Sequence, residues 1–502
     1  MPPGAPGGPP SHHASPGVSR MPRPSRRDLM RLAATLPAAR LLESGTTPAR
    51  AGQQEESADP VAVHASGLFN PRGLAFAADG TLYVALAGNG QMHEAPGVVS
   101  IADGCPVTVI HGQPSTMGMS GAVQGVGAVA FLGDQLYLLQ DSEDDRGDLA
   151  TTQPNGVYKA EADGTASLLA DITAWMIANP TREIPKDRGK LGETYAMLAG
   201  DGFLWVVESN EGQVLKVTPD GAISRVADLS EGHPVPSGCA LAPDGGLFVG
   251  NLTDTPYPQG EAKVWHVAAD GSATVVWSGL TMVTALAVVD GTLYACEMAT
   301  ANTTQPPYTR PGTGRVVRQT GPGTLEEVVS GLDFPIAMAA GPDGMLYVST
   351  PALGSTGPAG AVLRIDPAST FLTPPADLYE DATCPGFQEA RAGLLAAFAK
   401  MTTEADAIVK TAEATPPPNT APVTIRNFAF DPPQMRIAVG RSVTWTNEDP
   451  VPHTATSTAT PRAFDSGNLD QGQSFSFAFD KPGTYPYLCI YHPYMKGTVI
   501  VE

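Results

Sequence analysis

Positive charge is scarce in this chain. Thirty Lys and Arg stand against 51 Asp and Glu, for a formal net charge of −21, which excludes the basic footprint that nucleic-acid binding needs. No run reaches the roughly 18 apolar residues of a membrane-crossing helix, so no membrane span is expected. Cysteine is rare, at five in 502 residues. No Ser-His-Asp order, His-Glu-x-x-His pair or phosphate-cradling loop stands out, so the common hydrolytic and nucleotide chemistries have no signature here. Glycine and proline are plentiful, 54 and 48 residues, and they point to many turns rather than long helices. A chain of this length divides into two or three domains.

The first 51 residues read as an address. Met1 to Arg20 is Pro/Gly-rich, and Ser25-Arg26-Arg27-Asp28-Leu29 has the form of a twin-arginine export signal. Ala49-Arg50-Ala51 supplies a cleavage site before Gly52. The mature protein is therefore expected outside the cytoplasm, periplasmic or secreted.

Between residues 60 and 367 one unit recurs six times: an apolar run, a tight turn, then a Leu-aromatic-aliphatic triplet. The turns include Asp79-Gly80, Asp201-Gly202, Asp244-Gly245 and Asp343-Gly344, followed by Leu82-Tyr83-Val84, Leu204-Trp205-Val206, Leu247-Phe248-Val249 and Leu346-Tyr347-Val348. Asp-Gly between apolar runs is a strong hairpin signal, because Gly accepts the positive φ of a tight turn. A second Asp-Gly later in several units (Asp103-Gly104, Asp220-Gly221) asks for a further hairpin. Four strands per unit and six units predict a six-bladed β-propeller. The last unit lacks an outer strand, which Val61 to Ala65 is placed to supply. This segment resembles the ScyD/ScyE-like family through Asn70-Pro71-Arg72-Gly73-Leu74, Pro234-Val235-Pro236-Ser237-Gly238 and Gly331-Leu332.

One column of the repeat is chemical. Leu86, Gln140, Glu208, Asn251, Glu297 and Thr350 follow the triplets, and equivalent positions in a propeller ring its channel. Glu208, Asn251 and Glu297 offer hard oxygens for a Ca²⁺ ion, as in gluconolactonase-type propellers, which use a metal there. A polar channel with no reactant is the competing reading.

After residue 367 the pattern stops. Residues 368–421 read as a spacer, with an amphipathic helix from Gln388 to Ala414 carrying Leu394, Phe398, Met401, Ala405 and Ile408 on one stripe. The proline run 415–419 follows as a semi-rigid linker.

From 422 to 502, alternating strands return and predict a small antiparallel sandwich, in which Pro482-Gly483-Thr484-Tyr485 ends a strand. Near its end, Cys489-Ile490-Tyr491-His492-Pro493-Tyr494-Met495 puts a thiolate, an imidazole and a thioether on one loop, and His453 offers a second imidazole. Two His, one Cys and a weak Met is the donor set of a type 1 (blue) copper centre, which passes single electrons. The run Val443-Thr444-Trp445, Asn447, His453-Thr454, Pro482-Gly483-Thr484-Tyr485, Cys489 and Met495 resembles the plastocyanin-type cupredoxins. The spacing of Cys, His and Met is similar to that of amicyanin. The resemblance implies His453, Cys489, His492 and Met495 as copper ligands. Asn447 and Thr454 are placed to hydrogen-bond across the ligand loops or, alternatively, to satisfy turn backbone. A redox partner is expected to dock near His492 and Tyr494.

The four remaining cysteines have no spacing that settles a pairing; Cys239 and Cys296, in apolar strand-like runs, read as buried free thiols. Three functions stay open: an electron carrier with the propeller as scaffold, a propeller oxidoreductase or hydrolase coupled to copper, and a copper-binding or sensing module in an adhesive protein.

Overall fold

A computed structural model describes residues 59–90, 92–117, 123–142, 153–185, 192–353, 357–414, 420–459 and 462–502. The export-type segment and the proline run 415–419 lie outside the described residues. Strands dominate; the described helices are Ile172–Ala178 and Phe387–Ala414. No helix among the described residues is long and apolar enough to cross a membrane.

From Val61 to Ile365 the chain forms six four-stranded antiparallel sheets. Five lie within 71–110, 126–171, 194–228, 236–280 and 283–332, with neighbours following chain order except that the first passes over Met92–Ala95, which pairs with Gln113–Met117 instead. The expected Asp-Gly turns join the first strand of a sheet to the second, as at Gly80, where φ is +86°. In the sixth sheet, Ala337–Ala340, Leu346–Thr350 and Gly360–Ile365 are completed by Val61–Leu68, paired from Val61↔Ile365 to Leu68↔Gly360. That pairing covers an edge that would otherwise present unpaired backbone groups.

The triplets sit on the second strands and are buried on both faces. Leu204, Trp205 and Val206 are at most 1% exposed, which is why these strands read as continuous apolar runs rather than alternating ones. The first strands of successive sheets lie side by side, and Ala337–Ala340 of the last lies against Pro71–Phe76 of the first. Glycine makes the approach feasible: a Cβ on Gly238 would stand 2.3 Å from the Ala285 Cα. Hydroxyls stitch one sheet to the next. Thr194 donates to the Gln140 carbonyl at 2.8 Å, Ser209 to Pro236 at 2.5 Å, and Thr284 to Pro335 at 3.1 Å.

The long helix packs as its stripe requires. Leu394, Phe398 and Ala405 are buried, and Phe398 meets Phe334 edge-on at 5.4 Å. Just before the helix, Cys384 forms a disulfide with Cys105, which the sequence left unassigned. Cys239 and Cys296 are free and buried.

The C-terminal region is a two-sheet sandwich. One sheet runs Ala429–Asp431, Thr420–Arg426, Arg441–Asn447, Ser474–Phe479; the other runs Gln434–Ile437, Lys496–Val501, Gly483–Leu488, Thr456–Ser457. Between them Trp445 is fully buried, stacked on Phe464 at 5.0 Å and edge-on to Tyr487 at 5.3 Å.

Two expectations need correction. The sandwich is not purely antiparallel, since each sheet holds one parallel pair, with Val423 opposite Trp445 and Met435 opposite Val499. The chain crosses to the other sheet at Gln434–Ile437 before returning at Arg441–Asn447, so the returning strand runs in the same direction as the one it meets. Alternation reports which face a residue takes, not strand direction. Pro482-Gly483 also opens the Gly483–Leu488 strand rather than ending one. Proline is tolerated there because it stands just ahead of the first ladder position.

Candidate metal centre

Two turns at one end of the sandwich build the site. The first follows the Arg441–Asn447 strand. The Asn447 amide donates to the carbonyls of Val451 at 2.9 Å and Leu469 at 2.8 Å, while its oxygen accepts from the Asp449 N–H at 2.9 Å. This closes 448–452 into a compact turn and delivers His453, fully buried and bonded both ways through its backbone to Leu469.

The second turn is the tip of the hairpin made by Gly483–Leu488 and Lys496–Val501. Cys489 N–H donates to the Met495 carbonyl at 3.2 Å, and Met495 N–H to the His492 carbonyl at 2.8 Å. These bonds hold Cys489 and Met495 across the mouth of the hairpin. Thr454 ties the two turns together: its hydroxyl accepts from Ile490 N–H at 2.9 Å, and its N–H points at the Cys489 sulfur at 3.4 Å. Thr454 has the cross-loop role expected of it, whereas Asn447 closes its own turn and reaches Leu469.

Three donor atoms converge. Cys489 Sγ lies 3.6 Å from His453 Nδ1 and 3.7 Å from His492 Nδ1, and the two nitrogens are 3.2 Å apart. The in-plane centre of this triangle is about 2.0 Å from each atom, close to the bond lengths of a first-row metal ion to imidazole nitrogen or thiolate. Among the described residues, this is the group of His, Cys and acidic side chains that converges tightly enough to hold a metal. Met495 is 2% exposed and shares the core cluster with Cys489.

The surroundings prepare these donors. His453 Nε2 sits 3.1 Å from the Asp449 carboxylate, so its proton belongs on Nε2 and Nδ1 keeps a free lone pair. Asp449 in turn accepts from the N–H groups of Asn427 at 2.7 Å and Phe428 at 2.9 Å. Burial pushes the Asp449 carboxyl up, but those N–H groups and the His453 ring outweigh it and hold it below its ordinary value. The His453 imidazole is lowered from 6.5, first by burial and then by His492, against the pull of Asp449. Phe428 meets His453 and His492 edge-on, with centroids at 5.2 and 4.8 Å. The sequence reading assigned no role to Asp449 or Phe428. A carboxylate four residues before a proposed ligand His was the available signal for the former.

Exposure is graded across the site. His453 and Cys489 are fully buried, whereas His492 is half-buried. Around it lie Tyr494 at 69%, Tyr491 at 56% and Phe428 at 41% exposure.

The residues considered for Ca²⁺ behave differently. Glu208 accepts from the N–H groups of Glu193 and Glu211 and from the Gln213 amide. Glu297 accepts from Thr281 N–H and pairs with Arg315 at 2.6 Å. Asn251 bridges Pro234 and Lys263. Gln140 and Thr350 donate to nearby carbonyls, and Leu86 is plain core. These contacts hold strand ends, and among the described residues the column forms no converging group for the Ca²⁺ ion that the sequence offered as one reading beside a channel with no reactant.

Comparison with known proteins bears on the sandwich. The family described as copper binding proteins of the plastocyanin/azurin type matches residues 420–502. Amicyanin-alpha of Methylorubrum extorquens is 36% identical over 114 residues, which cover 22% of this chain and 95% of that protein. Amicyanin of Paracoccus denitrificans is 34% identical over 83 residues, covering 16% of this chain and 63% of that protein. The solved structure of a purple cupredoxin from Nitrosopumilus maritimus shares 33% identity, covering 16% of this chain and 99% of that one, with a TM-score of 0.16. Through these C-terminal residues, the chain belongs to the plastocyanin/azurin family of copper binding proteins.

Proposed function

We propose that residues 422–502 hold one type 1 copper ion and pass single electrons, with His453, Cys489 and His492 as strong ligands and Met495 as the weak axial one. The observation that carries this is the donor triangle, 3.2 to 3.7 Å on a side, with one soft sulfur and one imidazole tautomer set by Asp449. Copper supplies the exchange between its two oxidation states, and thiolate and imidazole suit both. The chain supplies the rest. Thr454 N–H is directed at the sulfur and fixes its position between the loops, Phe428 and the buried loops limit water, and three strong donors with a thioether leave no open position for a substrate. His492, half-buried among exposed aromatic residues, is the port for electrons, and a redox protein partner docks on Tyr494 and Tyr491.

In the same reading, residues 60–367 are a six-bladed β-propeller whose blades are the six sheets, closed by Val61–Leu68 and by the neighbouring of the first and last inner strands. Residues 368–421 are a spacer, residues 1–51 an export segment of the twin-arginine kind, and the protein works outside the cytoplasm. The propeller is a scaffold or partner-binding platform.

Loading the protein with Cu(II) and recording its optical and spin-resonance spectra tests this. An intense visible band that bleaches with ascorbate is expected, and it should vanish completely in Cys489→Ala. A colourless product, or a variant that stays blue, ends the ligand assignment.

A further inference from the structure

The inner strands of the six sheets surround a cavity of about 820 Å³. Much of its wall is apolar or aromatic, including Met298, Met338, Tyr257 and Tyr308. One cation reaches it. The Arg72 guanidinium donates to the carbonyl of Ala352 at 3.1 Å and to that of Val123 at 2.6 Å. Guanidinium carries five N–H groups, and Arg72 makes no ion pair among the described residues. Two carbonyls therefore hold the fork in place while its charge stays without a bonded counterion. Burial lowers the Arg72 guanidinium from its ordinary value, as expected for a positive charge drawn away from water, with Tyr195 and Asp141 near enough to oppose the shift.

Tyr195 lines the same cavity, and its buried hydroxyl has no hydrogen-bond partner among the described residues. A buried unmatched hydroxyl costs stability, and evolution retains such groups where a ligand completes them. The helix side of the cavity adds Met401, and the loop side adds Pro306 and Pro307. Asp141 and Glu193 also line it, so the field around Arg72 is not uniformly positive. A dianion would meet those carboxylates; a single negative charge need not.

We infer that this cavity binds a small organic monocarboxylate with an apolar or aromatic body, its carboxylate on Arg72 and the Tyr195 hydroxyl and its body among the methionine and tyrosine side chains. An Arg–carboxylate contact is charge-assisted and directional, and a cavity of this size accommodates a drug-sized molecule. The inference concerns the six-sheet body and does not rest on the copper reading.

Calorimetric titration of the full-length, copper-loaded protein with phenylacetate tests it, with phenylacetamide and inorganic phosphate as controls. Phenylacetate should bind at least roughly tenfold tighter than its neutral amide, the discrimination expected when one partner of a charged hydrogen bond is lost. Phosphate should not compete. Arg72→Gln should lower phenylacetate affinity roughly tenfold to a hundredfold. Tyr195→Phe guards against a misfolded Arg72 variant. It should leave the ligand-free protein folded yet weaken phenylacetate about tenfold. Absence of phenylacetate binding, equal affinity for the amide, competition by phosphate, or a Tyr195→Phe protein that binds phenylacetate unchanged would each overturn the assignment. The visible copper absorption in the same samples reports on the electron-transfer site separately.

Discussion

The sandwich and the six-sheet body are both all-β, yet they spend their buried polar groups in opposite ways. In the sandwich, Asn447, Asp449 and Thr454 are buried, and their chain of bonds ends at the His453 imidazole and the Cys489 sulfur. In the body, Glu208, Asn251 and Glu297 are equally buried but fasten neighbouring strand ends, and Gln140 reaches the Pro114 carbonyl of another sheet. Burial of a polar residue is thus no mark of a reactive site by itself. Convergence of donor atoms is.

The strongest way to break this contrast is to remove the core under the metal loops. Trp445→Ala should destabilise the sandwich by about 3–5 kcal/mol, as truncation of a buried aromatic does, while the thermal transition of the body stays in place. A body transition that falls in step would show that the two regions fold as one unit.

A second test uses pH, because the two regions should respond with opposite sign. Burial raises the Glu208 carboxyl to about 7 from 4.5. Its folded form keeps a proton that the unfolded chain releases, so this stability is full below about pH 4.5 and is lost as pH rises through 7. The span corresponds to about 3 kcal/mol at most, and Glu208→Gln should flatten it in urea unfolding measured across that range. Glu297 and Asp333, both raised chiefly by burial, act in the same direction. His453 is lowered instead. The metal-free sandwich should hold its full stability above pH 6.5 and lose it as pH falls through the folded value of His453. Parallel pH profiles for the two transitions would contradict the assignment.

Asp449→Asn sharpens the comparison further. If the carboxylate orients His453, copper affinity should drop roughly 10- to 100-fold in a chelator competition. Unchanged affinity would reduce Asp449 to a staple for the Asn427-Phe428 turn. The smallest effect is expected at the surface. Tyr494→Lys should slow electron exchange with the partner severalfold in stopped-flow mixing, while the copper spectrum remains intact, since a charge at the rim acts mainly on association.

The sequence was most readable where the chemistry is local. The six hairpin turns and the strand that completes the last sheet were legible because Asp-Gly and apolar runs act over a few residues. Cys489, His492 and Met495 were legible because they share one short loop, and His453 because its proline-flanked turn is distinctive. Glu208 and Glu297 were legible as a polar column but not in their role, because such a column looks the same whether it faces an ion or secures its own strands. The parallel pairs were missed because side-chain alternation is blind to direction.

By itself, then, the sequence determined which residues form strands, where they turn, and which four side chains are offered to a metal. Those properties depend on backbone preference and donor chemistry within a few positions. Tertiary structure alone decided that Cys105 meets Cys384 across 279 residues, that Asp449 selects the His453 tautomer, and that Arg72 reaches a cavity with the Ala352 and Val123 carbonyls on its guanidinium. Each of these is a contact between distant segments, set by how whole sheets pack, and no local preference encodes it.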